Sequence, residues 1–133
     1  MDSVTGTCFS RIQGPNGVGM TYTYTIPKTY MEKELYVIFK GLARSNYAIS
    51  KGVLVFTAFD EGWQQLCWWA IPIRSHLKYQ SQWNPFIDSM HIPALIEKRK
   101  YTYIKACPFI GESTGEKLDI DSFEVSVKKR GEY

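Results

Sequence analysis

The stretch from Leu118 to Val127 constrains this chain more than any other. Its apolar positions are Leu118, Ile120, Phe123, Val125 and Val127, with Asp119, Asp121, Glu124 and Ser126 between them. Strict period-two alternation sends Leu118 and Ile120 to one face of a strand and Phe123, Val125 and Val127 to the other. The phase slips once, at Asp121-Ser122. A β-bulge at that point turns one residue aside and returns all five apolar side chains to a single core. A long closing strand with an acidic bulge predicts a two-sheet antiparallel β-sandwich, all-β, whose last strand lies inside a sheet.

The rest of the chain agrees with that reading. Residues 1–19 form a polar, glycine-rich N-terminal segment with a turn signal at Gly14-Pro15-Asn16-Gly17. Met20 to Ile26 alternates Met20, Tyr22, Tyr24 and Ile26 against three threonines, and Pro27 stops it. Leu35 to Leu42 is a second strand, and Arg44 to Gly52 reads as a loop. Val53 to Phe59 is apolar almost throughout, as in a strand covered on both faces. After Asp60-Glu61-Gly62 the aromatic stretch Trp63 to Ile73 returns as the second arm of a hairpin. Trp83 to Ile92 and Tyr101 to Phe109 add two more, and Ala94 to Lys100 has room for one helical turn. With the closing stretch these make seven strands, no sustained helical period and no repeat. One domain is expected over 1–133, its sandwich spanning 20–128 and its tail 129–133.

Composition narrows the function classes. Aromatic residues make up 15% of the chain, more than packing usually demands, so a stacking surface is a natural use for the surplus. The net charge of +3 comes largely from Lys128-Lys129-Arg130 and Glu97-Lys98-Arg99-Lys100, and no strand carries a basic stripe, so nucleic acid is not expected as a partner. No stretch reaches transmembrane length, and none is expected to insert in a membrane; the start lacks the charged and apolar regions of a signal peptide. Cys8, Cys67 and Cys107 have no metal-like spacing. Cys67 and Cys107 lie in apolar runs and read as buried free thiols, while one disulfide among the three stays open. His76 and His91 are the only histidines, and no nucleophile elbow or phosphate-binding glycine loop occurs, so no enzyme is expected.

Four stretches carry a family resemblance. They are Val53-Leu54-Val55-Phe56 with the turn to Trp63, Trp69-Ala70-Ile71-Pro72-Ile73, Trp83-Asn84-Pro85-Phe86 with Ile92-Pro93, and Tyr103-Ile104-Lys105 running on to Ile120-Asp121-Ser122-Phe123-Glu124-Val125. Over residues 20 to 128 the chain resembles the jelly-roll, galactose-binding-domain-like β-sandwiches found as carbohydrate-binding-module-like appendages of Bacteroidetes proteins. Such modules often have two adjacent acids before the phenylalanine, where this chain has Asp121-Ser122. The resemblance implies an appended, extracytoplasmic domain of a larger protein and a glycan ligand. The rival reading is a structural or protein–protein interaction sandwich whose aromatics are all core.

Candidate contacts follow from strand geometry. Adjacent Trp68 and Trp69 point to opposite faces, so one is core and the other, taken as Trp68, can stack on a sugar. Tyr36 lies on an alternating strand. Tyr101 and Tyr103 share a face that Lys105 continues, and burying that ammonium unpaired would be costly, so the face should be solvated. Arg44 and Asn46 supply further polar contacts. Trp83 reads as locking the start of its strand. Asp119, Asp121 and Glu124, with N-terminal backbone carbonyls, are an oxygen set suited to a structural calcium ion, against the plainer reading of solvated carboxylates at a bulge.

Overall fold

The computed structural model describes residues 10–13, 17–111 and 115–131. Among them are nine strands: β1 Ser10–Gln13, β2 Gly17–Val18, β3 Tyr22–Thr25, β4 Leu35–Ser45, β5 Gly52–Phe59, β6 Gln65–Pro72, β7 Asn84–Ile92, β8 Tyr103–Ile110 and β9 Lys117–Lys129. All pairings are antiparallel. Sheet A has the order β1-β9-β4-β7; sheet B has β2-β8-β5-β6, with β3 also paired to β8. Because β2 and β3 lie on successive parts of β8, they act as one interrupted strand. The path then visits the sheets in the order A, B, A, B, B, A, B, A, which is the double Greek key of a jelly roll.

The closing strand is the interior strand expected, flanked by β1 and β4. Its bulge lies where the apolar phase slips. Lys40 pairs with Glu124 but Leu42 pairs with Asp121, so Ser122 and Phe123 together face Gly41, and Ser122 takes a left-handed φ of 55°. Leu118, Ile120 and Val125 are thereby buried, while Phe123 and Val127 pack half-buried against the same core. Opposite the bulge Gly41 is required by space: a Cβ there would lie 3.0 Å from the Phe86 ring and 3.1 Å from the Asp121 carbonyl.

Both sheets feed one core. Leu35, Val37, Phe39 and Ala43 from β4 meet Leu54, Phe56 and Ala58 from β5 and Ile104 and Ala106 from β8. Trp69 turns inward and stacks on Phe56 at 5.7 Å, while Trp68 stays half exposed, as their adjacency requires. Cys67 and Cys107 are free and half-buried; Cys8 and most of the turn at residues 14–17 lie outside the described residues.

Three expectations need correction. Two short strands, β1 and part of the β2–β3 pair, lie in the segment read as irregular, because their partners β9 and β8 are more than ninety residues away in sequence and no local pattern announces them. Strand β4 runs on to Ser45, through residues assigned to a loop, since Arg44 and Ser45 stay in register with Asp119 and Leu118. The 94–100 stretch is a tight reversal closed by an Ile96–Arg99 bridge, with Glu97 and Lys98 both left-handed, not a helical turn. Among the described residues helical structure is limited to two single 3-10 turns, Lys28–Tyr30 and Arg74–His76, and no helix is long and apolar enough to cross a membrane.

Candidate ligand-binding face

The two outer faces of the sandwich differ in kind. On sheet A the side chains pointing away from the core are largely occupied with one another. Arg11, Asp119 and Arg44 stand in one row across β1, β9 and β4. The Asp119 carboxylate is buried between both guanidiniums, accepting from Arg11 at 2.8 and 3.1 Å and from Arg44 at 3.0 and 2.8 Å. Arg44 in turn lies 4.6 Å from the centre of the Trp83 ring. Tyr36 leans on the His91 ring at 5.2 Å, and His91 approaches Glu34, which also accepts from Arg130 at 2.8 Å. The Arg130 hydrogen bond is the largest influence holding the Glu34 carboxyl below its ordinary value.

A cleft of about 480 Å³ opens on this side, lined by Lys40, Leu42, Pro85, Ile87, Ser122, Glu124 and His76. Its wall is mostly aliphatic and charged, with the buried Phe86 ring and the His76 imidazole as its aromatic groups. His76 Nε2 lies 3.1 Å from an Asp88 oxygen, and among the described residues the Ser122 side chain makes no hydrogen bond to His76.

Sheet B presents an aromatic face. Tyr103, Lys105, Cys107 and Phe109 of β8 point outward, alternating with buried Ile104, Ala106, Pro108 and Ile110. Register places Tyr103 beside Phe59, and Lys105 beside Thr57, which is opposite Trp68. The β5–β6 turn adds one more ring. Asp60 Oδ1 accepts from the backbone N–H of Gly62 and Gln64 at 2.9 and 2.8 Å, and the Trp63 N–H returns to the Asp60 carbonyl at 3.0 Å. That geometry gives Trp63 a φ of 64°, a left-handed position that suits glycine and costs another residue about 1–2 kcal/mol. Trp63 is held there by lying flat on Tyr103, centroids 3.9 Å apart and planes 5° apart, and by a tilted contact with Phe59 at 5.6 Å. One ring face is covered and the indole is still 47% exposed, so its other face is turned to solvent. Trp68, 50% exposed, meets Phe109 edge-on at 6.1 Å.

The candidate residues therefore divide. Tyr103, Lys105 and Trp68 share the outer face of sheet B; Tyr36 and Arg44 lie on sheet A. Asn46 is a strut: its amide donates to the Gly115 carbonyl at 3.0 Å and accepts from the Lys117 N–H at 2.7 Å. Tyr101 does not share the face of Tyr103. It precedes β8, is 4% exposed, and donates its hydroxyl to the Pro93 carbonyl at 3.0 Å, so the β7–β8 connection closes over it. Burial pushes its phenol well above the ordinary value.

Asp119, Asp121 and Glu124 do not converge. Asp119 is taken by two arginines, Glu124 is exposed, and among the described residues no group of three His, Cys, Asp or Glu could hold a metal ion. The N-terminal carbonyls invoked with those acids belong mostly to residues outside the described set.

Two residues of consequence escaped the sequence reading. Trp63 was read as the first residue of a strand, although a residue following Asp-Glu-Gly in so short a turn is a candidate for the left-handed position. Glu116, 1% exposed, accepts from the Ser45 and Ser50 hydroxyls and from the Lys51 N–H at 2.9 Å, tying the β4–β5 loop to the start of β9.

No protein-family model and no curated protein matches the chain. Solved structures do. A CBM4 carbohydrate-binding module superposes with a TM-score of 0.52 at 13% identity, over 90% of this chain and 71% of its own. A chain of infectious bursal disease virus, Gx strain, gives 0.59 at 15% identity, over 95% of this chain and 30% of the viral one. The fold is a jelly-roll β-sandwich. A chain from the accessory secretory protein 1, 2 and 3 structure of Streptococcus pneumoniae shares it, at a TM-score of 0.51 and 13% identity, over 95% of this chain and 88% of that one. At these identities the likeness is one of fold alone, and this jelly roll spans 30% of the viral chain's length.

Proposed function

We propose that this jelly roll is a non-catalytic carbohydrate-binding module, carried outside the cytoplasm by a larger protein, that grips glycan on the outer face of sheet B. The observation that carries the reading is the pair of half-exposed tryptophans on one solvated sheet face, Trp63 in the β5–β6 turn and Trp68 on β6, with Tyr103 and Lys105 on β8 across β5 from them. A pyranose presents a face of C–H bonds to an aromatic plane, and a rigid indole offers that plane with little ordering cost. The backbone strain at Trp63 fits this use, because left-handed aromatic residues persist only where surrounding contacts hold them and they concentrate at ligand sites. The fold shared with a CBM4 module adds support.

A second reading is a protein-docking domain. It is favoured by Val18 and Met20, 56% and 62% exposed, which extend apolar surface to the β2–β3 edge of the same sheet. A glycan-array screen of the purified domain, with and without a calcium chelator, separates the two. The module reading expects retained glycans that Trp63→Ala and Tyr103→Ala both abolish. A blank array with a folded protein sinks that reading and favours docking. Loss on chelation alone moves the site to a cation the acids would have to share with the ligand.

A further inference from the structure

We infer that the glycan this face takes is acidic, its carboxylate or sulfate held by Lys105 while its ring stacks on Trp63; the inference rests on the glycan-binding reading above. Lys105 is half-buried in the middle of β8, and its ammonium lies 5.5 Å from the ring centres of both Phe59 and Trp63. The stem therefore runs along aromatic surface, and the charge is fixed beside the exposed indole rather than free in solvent. Its neighbours across the sheet are neutral: Thr23 on β3, Thr57 on β5, and Trp68 beyond Thr57 on β6. Among the described residues Lys105 makes no ion pair. Of the two acids in the neighbouring turn, Asp60 is engaged by Arg99, and Glu61 is exposed and makes no ion pair with Lys105 among the described residues.

Four arginines of this molecule, by contrast, are held by acids. Arg11 and Arg44 share Asp119, Arg99 has Asp60, and Arg130 has Glu34. Lys105 holds its charge against aromatic quadrupoles only, which leaves its ammonium protons available to an anion. An anionic group at the edge of a sugar stacked on Trp63 would complete that coordination. A neutral sugar would leave the half-desolvated ammonium without a strong acceptor.

The test uses matched glycans that differ chiefly in charge: polygalacturonate with its methyl ester, hyaluronan with its carboxyl-reduced form, and chondroitin sulfate with its desulfated and carboxyl-reduced form. Affinities are measured for the wild-type chain, Lys105→Met and Lys78→Met, the last an exposed lysine away from the face. Methionine keeps the apolar stem, and a melting curve checks that both variants fold. The expected result is at least one acidic member bound roughly 10-fold or more tightly than its neutral partner. Lys105→Met should erase that preference, 0.5 M salt should weaken it, and Lys78→Met should leave it intact. Equal binding of charged and neutral partners overturns the inference while the glycan reading stands. Equal losses from both lysine variants show a diffuse charge effect and also overturn it. Binding to no member, together with a blank array, removes the glycan reading itself.

Discussion

Replacing Trp63 by alanine and by glycine separates what its ring does from what its backbone costs. The indole is 47% exposed, so about half of its roughly 200 Å² is removed from water, on the order of 100 Å². At ~25 cal/mol per Å² that is about 2.5 kcal/mol, an upper figure because denatured chains already bury some apolar area. The parallel stack on Tyr103 adds about 0.5–1.5 kcal/mol. Trp63→Ala should therefore destabilise by about 3 kcal/mol. Alanine keeps the Cβ and with it the strain of a φ of 64°. Glycine relieves about 1–2 kcal/mol of that strain and returns about 0.5–1 kcal/mol through its freer unfolded chain. Trp63→Gly should then be more stable than Trp63→Ala by about 0.5–1 kcal/mol, although both lose the whole ring. Equilibrium urea unfolding followed by far-ultraviolet circular dichroism measures the difference, with equal m-values required for the comparison. An alanine variant as stable as the glycine variant would refute the idea that the Asp60 turn imposes the left-handed backbone. Glycan binding should be lost in both, so the more stable of the two would be no better a binder.

Two further outcomes follow from buried groups. Glu116→Ala should cost about 3–5 kcal/mol, because the Ser45 and Ser50 hydroxyls and the Lys51 N–H all lose their acceptor in a site that is 1% exposed; denaturant unfolding that shows less than about 1 kcal/mol would mean water or a rearranged loop replaces the carboxylate. Burial raises the Cys67 thiol from about 9 to about 11, so native Cys67 should be alkylated at pH 8 roughly 100-fold more slowly than an unfolded thiol, read by peptide mass spectrometry; the same raised value means the folded state holds a proton the unfolded state releases, so this group's contribution to stability falls as pH rises through 9 toward 11.

What could be read in the sequence was whatever a single strand's own pattern encodes. The bulge is visible because five apolar residues that must reach one core fall on two phases, and only an extra residue near Ser122 reconciles them. The solvated face of β8 is visible because Tyr103 and Lys105 are two apart and an unpaired ammonium cannot be core. What stayed hidden depends on pairings made at long range. Glu116 looks like one more loop acid until Ser45 and Ser50, 71 and 66 residues earlier, fold over it. Tyr101 follows the alternation of β8 on paper, yet the chain returning from Pro93 covers it. The left-handed position of Trp63 is set by a turn, but the ring is kept there by Tyr103, forty residues on.

The same distinction decides between the two outer faces. On sheet A the groups suited to recognition face each other: Asp119 sits between two arginines, Arg44 lies against Trp83, and Tyr36 rests on His91. A ligand arriving there must first displace bonds the protein already makes, and the cleft beside them offers as aromatic groups only the buried Phe86 ring and the His76 imidazole, which is held by Asp88. On sheet B the indoles of Trp63 and Trp68 each retain about half their surface, and Lys105 lies near two aromatic rings and, among the described residues, makes no ion pair. A sugar stacking there removes apolar surface from water and breaks no internal ion pair. The free energy of that exchange is favourable from the first contact, whereas on sheet A it starts from a deficit. On the proposed glycan-binding reading, the half-exposed face is thus the one on which the aromatic surplus of this sequence would acquire a use.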